Sequence, residues 1–155
     1  KLENSRILTT DTTGSILSIS FRGEVSRLED RKMTPEHYFD FKDINADGKK
    51  DFIYLDENKL TAYSQDNTEI FSCVFPNNIT KPAIYFNFSA HDRKLGVTDA
   101  QGRKIYLINR DGSVYKGFPL EGSTLFSIGN LENQEGVFNL IVGGRNNFLY
   151  NYSVQ

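Results

Sequence analysis

Acidic and amide side chains recur at close spacing in segment 43–51, which reads Asp-Ile-Asn-Ala-Asp-Gly-Lys-Lys-Asp. Side-chain oxygens at positions 1, 3 and 5 of this segment would converge on one point in a wrapped loop, and Asp51 closes the loop. A hard cation such as Ca²⁺ takes about six to eight oxygen ligands. Three carboxylates around one point repel each other unless a cation offsets their charge, so the segment predicts a calcium site.

The predicted ligands are side-chain oxygens and one backbone carbonyl, supplied respectively by Asp43, Asn45, Asp47 and Asp51 and by Lys49. Gly48 permits the sharp turn between them. An EF-hand is excluded, because the twelfth loop position, which must be Glu in that motif, is Tyr54 here. The neutral Asn45 and about five protein ligands predict a structural site with a modest Kd, on the order of 10⁻⁴ to 10⁻³ M. The alternative interpretation is a polar turn with solvated carboxylates and no metal.

The elements that must position this loop belong to a repeat. Each repeat contains two short apolar strands joined by a polar turn, and the turns open at Asp11, Asp56, Asp99 and Gly144, which are 45, 43 and 45 residues apart. The paired segments are 8–11 with 16–19, 53–56 with 60–63, 96–99 with 105–108, and 141–144 with 148–151. A period of about 40 to 50 residues with several short strands is typical of β-propeller blades.

Further strands are expected on both sides of these hairpins. An outer strand follows the hairpin at 25–28, 70–75 and 114–118, and an inner strand precedes it at 38–42, 84–88 and 125–128. In the inner strand at 84–88, Ile84, Phe86 and Phe88 alternate with Tyr85 and Asn87, which is the period of two expected for a strand. No segment has a sustained helical pattern, so each repeat is predicted to hold four strands.

The predicted fold is therefore all-β, a β-propeller of about three and a half four-stranded antiparallel blades with a repeat of roughly 44 residues. The chain forms a single arc over 1–155, with blades at approximately 1–34, 35–80, 81–120 and 121–155, of which the first and last are incomplete. In such an arc the open blade faces and strand edges must be covered by other protein surface. Three arrangements would provide it: the arc is an excerpt of a larger propeller, two copies pair, or the terminal segments close a compact ring.

Segment 36–152 resembles the FG-GAP or VCBS type of propeller repeat, known from integrin α-subunit heads and many bacterial surface proteins. The resemblance lies in the loop at 43–51 and in the order of turn, outer strand, inner strand and middle strand over 109–113, 116–120, 127–131 and 140–144. It implies that the loop holds a structural calcium ion at one rim. It also implies an extracytoplasmic location, at the cell surface or in the periplasm, and a fragment of a larger bacterial propeller.

The other blades depart from the calcium pattern of that family. The equivalent loop of the third blade, at 89–93, is shorter and has lost the ligand spacing. In the fourth blade, segment 130–136 keeps the glycine but exchanges most carboxylates for amides, so that only Glu132 and Glu135 could support a second site. One calcium site is therefore predicted.

Charge and composition exclude several function classes. The 18 basic and 20 acidic residues are mixed along the chain and leave a formal charge of -2, which argues against nucleic-acid partners. No apolar run is long enough to insert into a membrane. His37 and His91 lack companion ligands for zinc, and Asp92 beside His91 has no nucleophile to complete a triad. No catalytic and no cofactor-binding residue is therefore predicted.

These observations favour a non-enzymatic binding or scaffolding module whose partner is a protein, another copy paired through open blade faces, or a carbohydrate. One alternative is part of a propeller enzyme, a hydrolase or a quinoprotein, whose active site needs additional blades. The absence of Trp counts against the quinoprotein version, since that family carries tryptophan docking motifs. The other alternative is a structural self-assembly module.

Overall fold

The computed structural model describes residues 5–29, 31–131 and 138–154. In these ranges fourteen strands form four antiparallel sheets, and the one helical element is a short 3₁₀ turn at Arg145–Asn147. The described chain has no helix that is long and apolar enough to cross a membrane. Strands that follow each other in sequence also pair in space, so each sheet is a meander.

The two outer sheets have three strands each and the two middle sheets have four. The first sheet contains β1 (Arg6–Thr10), β2 (Ile16–Ser20) and β3 (Val25–Glu29). The second contains β4 (Tyr38–Lys42), β5 (Asp51–Asp56), β6 (Lys59–Tyr63) and β7 (Glu69–Val74). The third contains β8 (Ile84–Asn87), β9 (Arg93–Asp99), β10 (Lys104–Asn109) and β11 (Leu120–Glu121). The fourth contains β12 (Phe126–Gly129), β13 (Phe138–Gly143) and β14 (Leu149–Val154).

This architecture confirms the predicted all-β propeller-type fold. The second and third sheets are complete four-stranded blades, whereas the described residues of the first sheet include no inner strand and those of the fourth no outer strand. Each predicted hairpin is present, because turn residues that accept positive φ, such as Gly14 with φ 83°, lie between runs of alternating apolar residues.

Adjacent sheets pack face to face around three apolar clusters. Ile16 contacts Phe52 and Tyr54 between the first and second sheets, and a larger cluster fills the space between the second and third. A third cluster joins the third and fourth sheets, where the rings of Phe86 and Phe126 stack with centroids 5.6 Å apart. The core is therefore divided into layers that lie between blades, as in a propeller.

The inner strand β8 shows why its sequence alternates. Ile84 and Phe86 pack on the cluster shared with the fourth sheet, while Tyr85 packs on the cluster shared with the second. Both faces of a blade strand meet a neighbouring blade, so both faces carry large apolar groups.

The prediction of an outer strand at 114–118 is wrong in the residues that it assigns to the strand. Val114 forms only an isolated bridge with Ile108, and the paired outer strand of the third sheet is β11, residues 120–121. A turn closed by the bond from Phe118 N–H to the Tyr115 carbonyl separates the two, with Gly117 at φ 91°. Pro119 follows and has no N–H to donate to the ladder, which prevents a continuous strand.

Carboxylates at the end of the second blade strand join each complete blade to the preceding connection. Asp56 accepts a hydrogen bond from the N–H of Thr34 at 3.1 Å, and Asp99 accepts one from the amide of Asn77 at 2.9 Å. In both cases the donor lies 22 residues earlier. Two of the four turn positions identified from the repeat spacing, Asp56 and Asp99, therefore link consecutive blades in addition to opening a turn.

Candidate metal centre

The acidic loop lies between β4 and β5, at one rim of the second blade. The side chain of Ile44 is fully buried in the cluster between the second and third sheets, which anchors the start of the loop. Ala46 and Gly48 adopt left-handed conformations with φ 64° and 85°. Gly48 was expected at such a turn, whereas Ala46 is a residue for which this conformation costs about 1–2 kcal/mol. The loop is thus tightly wrapped around its polar side chains.

Asp51 is the innermost of the predicted ligands. It is 1% exposed, and its Oδ2 accepts a hydrogen bond from the Ile44 N–H at 2.9 Å. Burial raises the pKa of Asp51, and the negative charges of Asp47 and Asp43 raise it further, while the backbone bonds act in the opposite direction. The carboxylates are therefore close enough to destabilise each other's charge.

Asp43 has one satisfied and one unsatisfied oxygen. Its Oδ2 accepts a hydrogen bond from the Gly48 N–H at 3.1 Å, while its Oδ1 is buried and has no hydrogen-bond partner among the described residues. The Asp43 carbonyl accepts a bond from the Tyr85 hydroxyl of the third blade at 2.8 Å. A buried carboxylate oxygen without a donor is costly, and a cation in the loop would remove that cost.

Asn45 and Asp47 organise the solvent side of the loop. Asn45 Oδ1 accepts a bond from the Asp47 N–H at 2.9 Å, and Asn45 Nδ2 donates to Asp47 Oδ2 at 3.2 Å. Asp47 Oδ1 accepts a bond from the Lys49 N–H at 2.7 Å. These local bonds hold the side chains inside the wrapped loop.

The structure places the five predicted ligand residues in one loop, but in the described part of the chain no three Asp, Glu, His or Cys side chains are gathered as a ready metal cluster. The donor set nevertheless fits calcium: it consists of oxygens, it includes the Asp43 Oδ1 that has no hydrogen-bond partner among the described residues, and the negative charges of Asp47 and Asp43 act on the buried Asp51. A bound ion would supply positive charge to the loop, and Asp43, Asn45, Asp47, Lys49 and Asp51 would hold it.

The corresponding loops differ as their sequences indicate. In the third blade, the Phe88 N–H donates to the Asp92 carbonyl at 3.0 Å and Ser89 Oγ accepts from the Asp92 N–H at 3.1 Å, which makes a short turn without converging carboxylates. Glu132 and Glu135 of the fourth blade lie outside the described residues.

Two residues outside the sequence prediction support the loop. Tyr85 fixes the Asp43 carbonyl from the next blade, and Gln65 Nε2 donates to the Lys50 carbonyl at 3.0 Å from the turn after β6. The alternation at 84–88 predicted that Tyr85 lies on the opposite side of the strand from Ile84 and Phe86, but no sequence signal identified its acceptor. Neither contact is local in sequence.

Of the two histidines, His37 makes structural side-chain contacts. His37 Nδ1 lies 2.6 Å from the Thr34 carbonyl and Nε2 lies 2.9 Å from Thr10 Oγ1, so both ring nitrogens are engaged between the first and second blades. His91 lies on the exposed turn of the third blade.

No protein-family model matches the chain, and no curated protein matches it. Solved structures do resemble it. A crystal structure of BBS1N in complex with ARL6DN, soaked with mercury, matches with a TM-score of 0.65 and 12% identity over 96% of this chain and 45% of that chain. The same complex soaked with lead matches with a TM-score of 0.59 and 12% identity over 98% of this chain and 51% of that chain. The chain thus spans about half the length of these structures, and at this identity the likeness concerns the fold.

Proposed function

We propose that the chain is a non-enzymatic β-propeller module that binds another protein and carries one structural calcium ion. The observation that carries the proposal is the fold itself: stacked blades present rim loops from several sheets on one surface. Loops on a rigid scaffold are the usual place for recognition. BBS1N, a structure of similar fold, was crystallised in complex with ARL6DN, which supports a protein as the class of partner.

The calcium ion is proposed for the loop at 43–51, as in the FG-GAP and VCBS repeats that this segment resembles. The unpartnered Asp43 Oδ1 and the raised pKa of Asp51 support it. Because the ligands lie in one loop that connects β4 and β5, the ion would stabilise the rim of the second blade. No substrate would be needed to complete its coordination.

The metal proposal is tested by calorimetry in excess EDTA and in millimolar calcium. We expect calcium to raise the melting temperature, because an ion that binds only the folded state stabilises it by mass action. Asp47→Asn should reduce this increase, while Asp66→Asn, in an exposed turn of the same blade, should preserve it. A melting temperature that is the same with calcium and with EDTA would refute the calcium site.

The partner proposal is tested by cross-linking the chain in an extract of its source organism, followed by reconstitution with each purified candidate. We expect a complex of defined stoichiometry in light scattering, with cross-links concentrated on Lys49 and Lys50 of the rim. The matched control is the chain with both lysines replaced by Arg, which retains the charge and removes the reactive amines. Failure of every candidate to form a complex with the purified chain would count against a protein-binding function.

A further inference from the structure

A solvent-filled groove of about 710 Å³ separates the first and second blades on the rim that carries the acidic loop. Its first wall belongs to the first sheet and its second wall to the second sheet. The main lining residues are Arg6, Ser18 and Leu28 on one side and Phe41, Lys50 and Gln65 on the other. The volume lies in the range of about 300–1,000 Å³ that is typical of binding sites.

Two cations face this groove without an acidic partner. Among the described residues, neither Arg6 nor Lys50 forms an ion pair with a carboxylate. Arg6 makes one long bond to Ser18 Oγ at 3.4 Å, and Lys50 Nζ lies 5.6 Å from the centre of the Phe41 ring. Glu24, in the adjacent turn, is bonded to Ser20 instead. Among the described residues, the lining of the groove therefore carries two basic side chains and no acidic one.

The floor between the cations is apolar. Leu8 and Phe41 are half-buried, and Leu28 is 55% exposed. The ring of Phe41 is held by stacking on Phe52, with centroids 5.1 Å apart. Apolar surface with polar groups at its margin is typical of a recognition site, because burial supplies affinity and the polar groups fix orientation.

The groove also opens along a sheet edge. Ser26 and Leu28 belong to β3, which pairs only with β2 in the first sheet. An extended chain can approach such an edge over several residues, and addition to an exposed sheet edge is one recurring way for proteins to bind a peptide segment. A compact anion would contact the cations but leave the apolar floor exposed.

We propose that this groove binds an extended acidic segment of a protein partner, with carboxylates beside Arg6 and Lys50 and an apolar side chain on Leu8, Leu28 and Phe41. The proposal rests on the protein-binding function above and names the chemistry of its partner. Each partly exposed ion pair contributes little to the binding free energy, so the isolated segment binds weakly. Its affinity falls as the ionic strength rises.

The test is a nuclear magnetic resonance titration of the labelled chain with the peptide acetyl-Asp-Leu-Glu-Phe-Asp-amide. We expect saturable shifts at the backbone amides of Arg6, Ser18, Ser26, Lys50 and Gln65. The isosteric peptide acetyl-Asn-Leu-Gln-Phe-Asn-amide should bind about tenfold more weakly, a loss within the range expected for two exposed ion pairs. Shifts that fall elsewhere, no shift at millimolar peptide, or equal binding of both peptides would overturn the proposal.

Substituted variants of the chain provide a second test of the groove. R6Q/K50Q should weaken binding of the acidic peptide by about tenfold, whereas K104Q/K116Q, which removes two exposed charges from the third blade, should leave it unchanged apart from a small general effect of charge. If R6Q/K50Q loses its dispersed spectrum, the single variant K50Q, on an exposed loop, should weaken binding by about threefold. Unchanged affinity in a folded variant would overturn the proposal.

The experiments separate a wrong binding groove from a wrong protein-binding function. A partner that binds R6Q/K50Q as tightly as the unaltered chain would refute the groove and retain the protein-binding module. A chain that forms no complex with any purified candidate would contradict the module itself.

Discussion

At the scale of single residues, the acidic loop concentrates its electrostatic cost at Asp51 and Asp43. Asp51 is buried and surrounded by like charges, and one Asp43 oxygen has no donor among the described residues. Both features are unfavourable for an ionised loop without metal, and both become favourable when a cation is bound. We therefore expect these two residues to link the stability of the protein to pH and, if the proposed site binds the ion, to calcium.

The first prediction concerns this linkage. Because the folded-state pKa of Asp51 is raised above 3.8, folding is favoured when Asp51 is protonated, and that contribution is lost as pH rises from 3.8 through the folded-state value. In EDTA, Asp51→Asn should therefore gain stability relative to the unaltered chain as pH rises across this window. Urea unfolding at several pH values measures the difference.

In calcium, the pH dependence of the stability difference between the unaltered chain and Asp51→Asn should have the opposite sign. A calcium ion bound in the proposed site would stabilise ionised Asp51, so in calcium the unaltered chain should gain stability relative to Asp51→Asn as pH rises. A difference between the two proteins that is independent of pH in EDTA would contradict the assignment of the raised pKa to Asp51.

At the scale of elements, the blades are joined by apolar layers and by side-chain links at the ends of the second strands. Asp99 is 1% exposed and accepts bonds from the Asn77 amide and from the Gly102 N–H, at 2.9 and 2.7 Å. It therefore ties the connection between the second and third blades to the hairpin of the third. The fourth blade has Gly144 at this position and lacks the carboxylate.

The second prediction follows from this link. Asp99→Ala should lower the free energy of unfolding by about 1–3 kcal/mol, because it removes a buried carboxylate that accepts hydrogen bonds from Asn77 and Gly102. Asp111→Ala is the matched control: Asp111 caps an exposed turn through Ser113 at 3.0 Å, and its loss should cost less than about 1 kcal/mol. Equal costs in urea unfolding would show that Asp99 acts only as a turn residue.

The third prediction concerns the layer between the third and fourth sheets. Phe126 is 3% exposed and stacks on Phe86, so Phe126→Ala should destabilise the chain by about 3–5 kcal/mol. Phe148, in the hairpin turn of the same sheet, is 64% exposed, and Phe148→Ala should cost less than about 0.5 kcal/mol. Comparable values for the two variants would contradict the inter-blade layer.

At the scale of the whole molecule, the four sheets form a series in which each packs on the next. The outward face of the first sheet carries a row of apolar residues, Ile7, Ile19 and Val25, aligned across the three strands. Ile7 and Val25 are 53% and 61% exposed. Such a face has the composition of an inter-blade layer that lacks its second half.

The fourth prediction is that this face promotes association between copies of the chain. The variant I7K/V25K should shift light scattering toward the monomer across a concentration series, because charges on the face oppose its burial. Val74→Lys, at another exposed apolar position on an outer strand, is the control and should retain the association. A monomer at all concentrations for the unaltered chain would contradict the prediction.

Much of the fold was predictable because its signals are local. Strand alternation, turn residues and the spacing of Asp11, Asp56, Asp99 and Gly144 depend on neighbours within one hairpin. The broken outer strand of the third blade was missed, since Val114 continues an apolar pattern and the turn at Tyr115 to Phe118 becomes visible only when the pairing partners are known.

The sequence by itself determined the all-β repeat, the order of strands in each blade and the types of oxygen donor in the acidic loop, because these follow from residue chemistry at short range. Only the tertiary structure decided which groups come together across blades: Asp99 accepts a hydrogen bond from Asn77, Tyr85 donates one to the Asp43 carbonyl, and Arg6 and Lys50 line one groove. The physical reason is that these contacts depend on how the sheets stack, and stacking is set by the whole apolar interface between blades.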